Sequence, residues 1–134
     1  LVDIREQPLQ VQEVIAAVGD DSAGGINVFL GVVRDLDGGK QVQGLAYSAH
    51  PSAIEKLTEV ATQVATQYDA HLAVVHRIGP LAVGDVAVCL AASTPHRGTA
   101  YDASRALIDR LKEQGPIWKH QHFTDGTEEW VGCC

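Results

Sequence analysis

What this 134-residue sequence lacks narrows its class before any motif is considered. Its apolar runs are short and strand-like, far below the ~20 residues that a membrane-spanning helix needs. No basic segment followed by an apolar stretch opens it, so a secretory signal is not expected and the expected address is cytoplasmic. Cysteines number three, Cys89, Cys133 and Cys134, too few and too poorly spaced for a disulfide framework or a four-ligand zinc site. Positive charge is scarce as well: ten Lys and Arg stand against seventeen Asp and Glu, a net charge of −7. That balance argues against a general nucleic-acid or anionic-membrane binder. Walker, Gly-x-Gly-x-x-Gly, His-Glu-x-x-His and Gly-x-Ser-x-Gly signatures are all missing. No repeat, linker or low-complexity segment divides the chain, and residues 1–134 are expected to form one domain.

The composition that remains, 46% hydrophobic and 20% charged, is that of a globular protein. Its few cations are unevenly placed. Five of the ten fall at or after Arg97, namely Arg97, Arg105, Arg110, Lys112 and Lys119, and His96, His120 and His122 share that stretch. Such a gathering in an acidic chain is either a solvated surface or a site for an anionic ligand.

Periodicity predicts a short amphipathic helix over Leu9–Val18, ended by Gly19. A buried strand follows over Ile26–Arg34, and Asp37-Gly38-Gly39 supplies turn chemistry before a returning strand over Gln41–Ser48, so the two strands are expected to form a hairpin. Pro51 suits the first turn of a helix whose apolar face is Ile54, Leu57, Val60, Ala61, Val64, Ala65 and Tyr68. Strands are expected over Leu72–Ile78 and Val86–Ser93, with turns at Gly79-Pro80 and Gly84-Asp85. A second long helix runs from about His96 to Gln114 and is stopped by Gly115-Pro116. Short strands over Ile117–Phe123 and Glu128–Val131 close the chain. Sequence-adjacent strands outnumber β-α-β crossovers, so the fold class is α+β with a mainly antiparallel sheet.

Thr94-Pro95-His96-Arg97 lies where an apolar strand gives way to a helix, and a helix N-terminus with cations in its first turn is suited to an anion. A tolerated surface His-Arg pair is the alternative. Lys112 occupies the last turn of the same helix, where the dipole favours a cation. Lys119 follows Pro116-Ile117-Trp118; a lysine partly desolvated beside Trp118 would serve as base or nucleophile, whereas a solvent-facing lysine would do neither. Arg34 ends a buried strand beside a glycine-rich turn, placed to reach a phosphate or a partner's carboxylate, or to guard a sheet edge. His120 and His122 share one face of a strand, but two imidazoles without a third ligand do not make a metal site, and no metal or cofactor is expected. Cys89 sits in an apolar run and reads as a small buried hydrophobe.

Several of these stretches together resemble the large, catalytic subunit of molybdopterin synthase: Phe29-Leu30-Gly31-Val32-Val33-Arg34, then Val75-His76-Arg77-Ile78-Gly79-Pro80-Leu81 with Val83-Gly84-Asp85. Pro95-His96-Arg97, Leu107-Ile108-Asp109-Arg110-Leu111-Lys112 and Pro116-Ile117-Trp118-Lys119 continue in the same order. Each is short, but five in one order, from about residue 24 to residue 130, are specific. The resemblance implies an α/β-hammerhead-like fold with extra β-strands and a homodimer. It also implies a small ubiquitin-like subunit at each far end, giving a heterotetramer. That partner ends in Gly-Gly bearing a thiocarboxylate, and the substrate would be cyclic pyranopterin monophosphate, converted to molybdopterin by two sulfur transfers. The family's pocket would fall on Arg34, His96, Arg97, Lys112 and Lys119, with one pocket drawing on both protomers. Lys119 would be the central catalytic group, with Lys112 stabilising negative charge as the cyclic phosphate opens. Arg34, His96 and Arg97 would hold the phosphate and pterin. One departure stands out: where the family carries an acidic residue two places after the second lysine, this chain has Gln121, also a candidate substrate-binding residue. A carboxylate there would have to come from Glu113, Glu128 or Glu129, or be dispensed with. The competing readings are a non-catalytic scaffold for a ubiquitin-like tail, a sulfurtransferase acting through Cys133 or Cys134, and a metal-binding module at His120 and His122.

Overall fold

The computed structural model describes residues 1–132; Cys133 and Cys134 lie outside the described residues. Among the described residues, two sheets and three helices make up the fold. The first sheet contains β1 (Val2–Arg5), β5 (His71–Arg77), β7 (Val86–Thr94) and β2 (Gly25–Val32), in that order. Only β1 against β5 is parallel. The second sheet is built on the long strand β4 (Lys40–Ala49), with β3 (Leu36–Asp37) and β6 (Gly79–Ala82) on one side. On its other side lie β8 (Ile117–Phe123) and then β9 (Glu128–Gly132). The α+β class with a mainly antiparallel arrangement is therefore as expected.

β7 reads as a continuous apolar run because it is covered on both faces. On one face, Val88, Leu90 and Ala92 join Val74 of β5 under two helices, α2 (Ala53–Tyr68) and α3 (Arg97–Gln114). These contribute Leu57, Val60 and Val64, and Ala103, Leu107 and Leu111, each set at the three- and four-residue spacing of one helical stripe. On the other face, Cys89 and Ala91 meet Ala73 and Val75 under Val14 and Val18, from and just after the short helix α1 (Val11–Ala17). Cys89 is fully buried, which agrees with its reading as a small hydrophobe.

Three expectations are corrected. The run read as a buried strand becomes β2, an edge strand on which Ile26, Leu30 and Val32 are exposed. The strand over 26–34 does not pair with the strand over 41–48: β2 pairs with β7 and β4 pairs with β8, in different sheets. The cause lies at Val33, whose N–H donates to the Asp85 carbonyl while its own carbonyl accepts from Gly84, turning the chain out of the first sheet. The turn chemistry was real, but it serves the tiny hairpin of β3 and the start of β4, with Gly38 and Gly39 at φ +59° and +79°. Likewise Gly79-Pro80 begins strand β6 rather than a turn. β6 is an edge strand, where a proline's missing N–H is tolerated. β1 and β3 were not anticipated at all.

Candidate functional site

A cavity of about 300 Å³ opens between the two sheets at the end of α3. β2 and the residues beyond it bring Phe29, Val33 and Arg34, β3 brings Asp37, and α3 brings Lys112; β8 brings Lys119 and Gln121. Strand alternation explains the β8 pair. Ile117, Lys119, Gln121 and Phe123 share the inner face, while Trp118, His120 and His122 share the outer one. Lys119 thus stands opposite Tyr47 of β4, a cavity residue, and Trp118 points to the other side and is exposed. The neighbourhood of Lys119 is set by Tyr47 and Asp37, not by Trp118 as the sequence suggested.

Among the described residues lining this cavity, Asp37 is the one carboxylate. The buried Gln121 side-chain amide donates to its Oδ2 at 2.5 Å, and Arg34 lies 3.7 Å from Oδ1. The Gln121 hydrogen bond first, then the positive charges of Lys119 and Arg34, hold the Asp37 carboxyl below the usual carboxylate range against the opposing effect of burial. The carboxylate that the sequence lacks at position 121 therefore comes from a residue 84 positions earlier. Glu113, Glu128 and Glu129 are not among the lining residues. Only the small β3–β4 hairpin brings Asp37 here, and nothing in the sequence between Asp37 and Gln121 announced it.

His76 also lines the cavity and was not singled out from sequence. It ends the buried run of β5, packs edge-on against Tyr47 at 4.9 Å between ring centroids, and shares a hydrogen bond between Nδ1 and the Arg77 carbonyl. Burial pushes its imidazole down to about 4, so it is neutral at ordinary pH. A histidine at the end of an otherwise apolar strand was the available signal.

His96 and Arg97 are elsewhere. They line a shallow site with Gly24, Pro95, Gly98 and Tyr101 at the start of α3. His96 is the N-cap, no side chain caps the helix, and its first turn holds no acidic residue, so backbone N–H groups and two basic side chains face the same open site. Gly24 permits this by close approach: a Cβ there would lie 2.3 Å from the Pro95 carbonyl oxygen. The helix itself fixes the separation of the two sites. Arg97 begins α3 and Lys112 lies in its last turn; fifteen residues at ~1.5 Å each put them about 22 Å apart along the axis. Within one chain, then, Arg34, Lys112, Lys119 and Gln121 come together, and His96 and Arg97 do not join them.

The MoaE protein family profile matches residues 4–114. The chain is 48% identical over 131 residues to the molybdopterin synthase catalytic subunit of Halalkalibacterium halodurans, covering 96% of this chain and 83% of the relative. It is 43% identical over 131 residues to molybdopterin synthase catalytic subunit 1 of Mycobacterium tuberculosis, covering 96% and 88%. In structure it is similar to the crystal structure of molybdopterin synthase from Staphylococcus aureus, with a TM-score of 0.92 and 34% identity. That match covers 98% of this chain and 96% of the other.

Proposed function

This chain belongs to the MoaE family, and from that membership we propose that it acts as the catalytic subunit of a molybdopterin synthase, with residues 1–134 serving as one large-subunit domain. The observation that carries the reading is the convergence of Arg34, Lys112 and Lys119 on one cavity in a chain of net charge −7. Three cations around one hollow favour a ligand that brings negative charge. In this reading the C-terminal Gly-Gly thiocarboxylate of a small ubiquitin-like subunit enters the cavity. Two sulfurs pass in separate transfers to cyclic pyranopterin monophosphate, giving molybdopterin.

Lys119 takes the central role, as acid/base or as a transient amine partner during sulfur attack. Lys112 stabilises negative charge as the cyclic phosphate opens. Asp37, oriented by Gln121, faces both Lys119 and Arg34 and positions them. His96 and Arg97, at an uncapped helix N-terminus, are suited to a phosphate, but along α3 they stand about 22 Å from Lys112, too far to serve the same small molecule in one chain. A two-fold related second copy removes the difficulty by laying the start of one α3 near the end of the other. β2 supports self-association, because it is the edge of the first sheet and carries exposed Ile26, Leu30 and Val32. With a small subunit on each protomer the assembly is a heterotetramer. Among the described residues no helix is long and apolar enough to cross a membrane, and the reading places the enzyme in the cytoplasm.

The test is conversion of cyclic pyranopterin monophosphate to molybdopterin by the purified chain with a thiocarboxylated small subunit. Turnover is expected in wild type and is expected to vanish in Lys119→Ala with partner binding intact. Binding without turnover in the wild type would favour a scaffold instead, and a loss confined to Cys133→Ser/Cys134→Ser would favour cysteine chemistry.

A further inference from the structure

The outer face of the β8–β9 pair, turned away from the cavity, carries a second constellation that the reaction above does not use. His120 and His122 lie two residues apart on that face, with ring centroids 4.3 Å apart. Register places Glu128 of β9 directly opposite His122 and diagonal to His120. Its carboxylate reaches both rings: Oε2 is 3.2 Å from His120 Nε2, and Oε1 is 3.5 Å from His122 Nδ1. The sequence offered two imidazoles and no third ligand; the hairpin supplies it.

We propose that His120, His122 and Glu128 bind one divalent transition-metal ion of the zinc class. All three ligand atoms lie within 4.8 Å of one another. Zn–N and Zn–O bonds of ~2.0–2.2 Å at tetrahedral angles separate ligand atoms by about 3.3–3.5 Å; each imidazole already has one oxygen of Glu128 at a comparable distance, Oε2 for His120 and Oε1 for His122. Two neutral imidazoles with one carboxylate form a borderline donor set that suits zinc, nickel or copper, whereas calcium and magnesium favour all-oxygen sites.

The surroundings fit a site that is oriented yet accessible. Trp130, in register with His120, stacks flat on its ring at 4.1 Å with an interplanar angle of 5° and fixes its orientation. On the other flank β4 places only Ala46 and Gly44 opposite His120 and His122, so no bulky side chain crowds the ion from that strand. The side chains of His122 and Glu128 are 45% and 57% exposed, which leaves a route for the ion and room for water as the remaining ligand. Bound there, the ion cross-links β9 to β8, the strand whose reverse face presents Lys119 and Gln121 to the cavity. This inference does not depend on the reaction proposed above.

The experiment is a zinc chloride titration of the full chain, stripped with chelator and dialysed, read by calorimetry with a competing chelator. One zinc per chain is expected, with at least about tenfold weaker binding in each of His122→Ala and Glu128→Ala, changes that remove a direct ligand and should cost no less than loss of a supporting group. His71→Ala and Cys133→Ser/Cys134→Ser are expected to bind as wild type does. Circular dichroism and the conservative variant Glu128→Gln, which keeps the shape of the hairpin and loses the charged ligand, separate lost binding from lost folding. Absence of stoichiometric uptake would overturn the proposal. So would uptake that survives in folded His122→Ala and Glu128→Gln, or uptake abolished by the cysteine substitutions.

Discussion

Gln121 shows how much can turn on one amide. The side chain is buried, lies beside the cavity, and donates to Asp37 rather than supplying a carboxylate of its own. A hydrogen bond to a charged group contributes about 1.5–3 kcal/mol. If it is felt in the transition state, Asp37→Asn should lower kcat/KM about ten- to hundredfold. The double variant Asp37→Asn/Gln121→Glu returns a carboxylate to the same corner and should recover much of that loss. A second variant no better than the first would mean that Asp37 matters by shape and not by charge. His76 gives a separate expectation, on stability. Its ordinary value of 6.5 falls to about 4 in the folded chain through burial. Between those two values the unfolded chain binds a proton that the folded chain refuses, so stability is complete above about 6.5 and falls as pH drops toward 4. The contribution is about 3 kcal/mol in all. Urea unfolding at several pH values should show a shallower acid slope in His76→Gln than in wild type, and parallel slopes would contradict the assignment.

At the scale of the element, what could be read in advance was whatever a local period or a local turn determines. The stripe on α2 (apart from Ile54, which is exposed), the stop of α3 at Gly115-Pro116 and the limits of β8 follow from spacing and turn chemistry alone. Pairing partners did not. The apolar run at 26–34 looked like a strand buried on both sides, and a hairpin with its sequence neighbour satisfied the local pattern, but the Val33 hydrogen bonds to the Gly84–Asp85 turn send the chain elsewhere and leave β2 as a partly exposed edge. The site divides in the same way. Lys112 and Lys119 could be placed on their elements, and the family resemblance gave them their roles, whereas Asp37 and His76 meet them only because β4 pairs with β8 and β5 with β7, contacts that no short window of sequence contains. The packing of α3 is itself testable. Leu107 is fully buried between the helix and the first sheet, so Leu107→Ala should cost about 2–5 kcal/mol by urea denaturation. A loss well under about 1 kcal/mol would mean that the helix is not seated there.

For the whole molecule, the governing feature is that the cations expected to act together occupy opposite ends of α3. The cavity holds Arg34, Lys112 and Lys119, and the far end holds His96 and Arg97. The proposed reaction asks both groups to meet one substrate, and a symmetric pair of chains meets that demand where a single chain cannot. The measurement that tests this most directly mixes two inactive variants, Arg97→Ala and Lys119→Ala, unfolded and refolded together, in the molybdopterin-forming assay. Random pairing makes about half the dimers mixed, each with one of two pockets intact, so activity should return to about one quarter of wild type. No recovery, with the mixed dimer shown to form, would contradict the account and place the whole reaction within one chain.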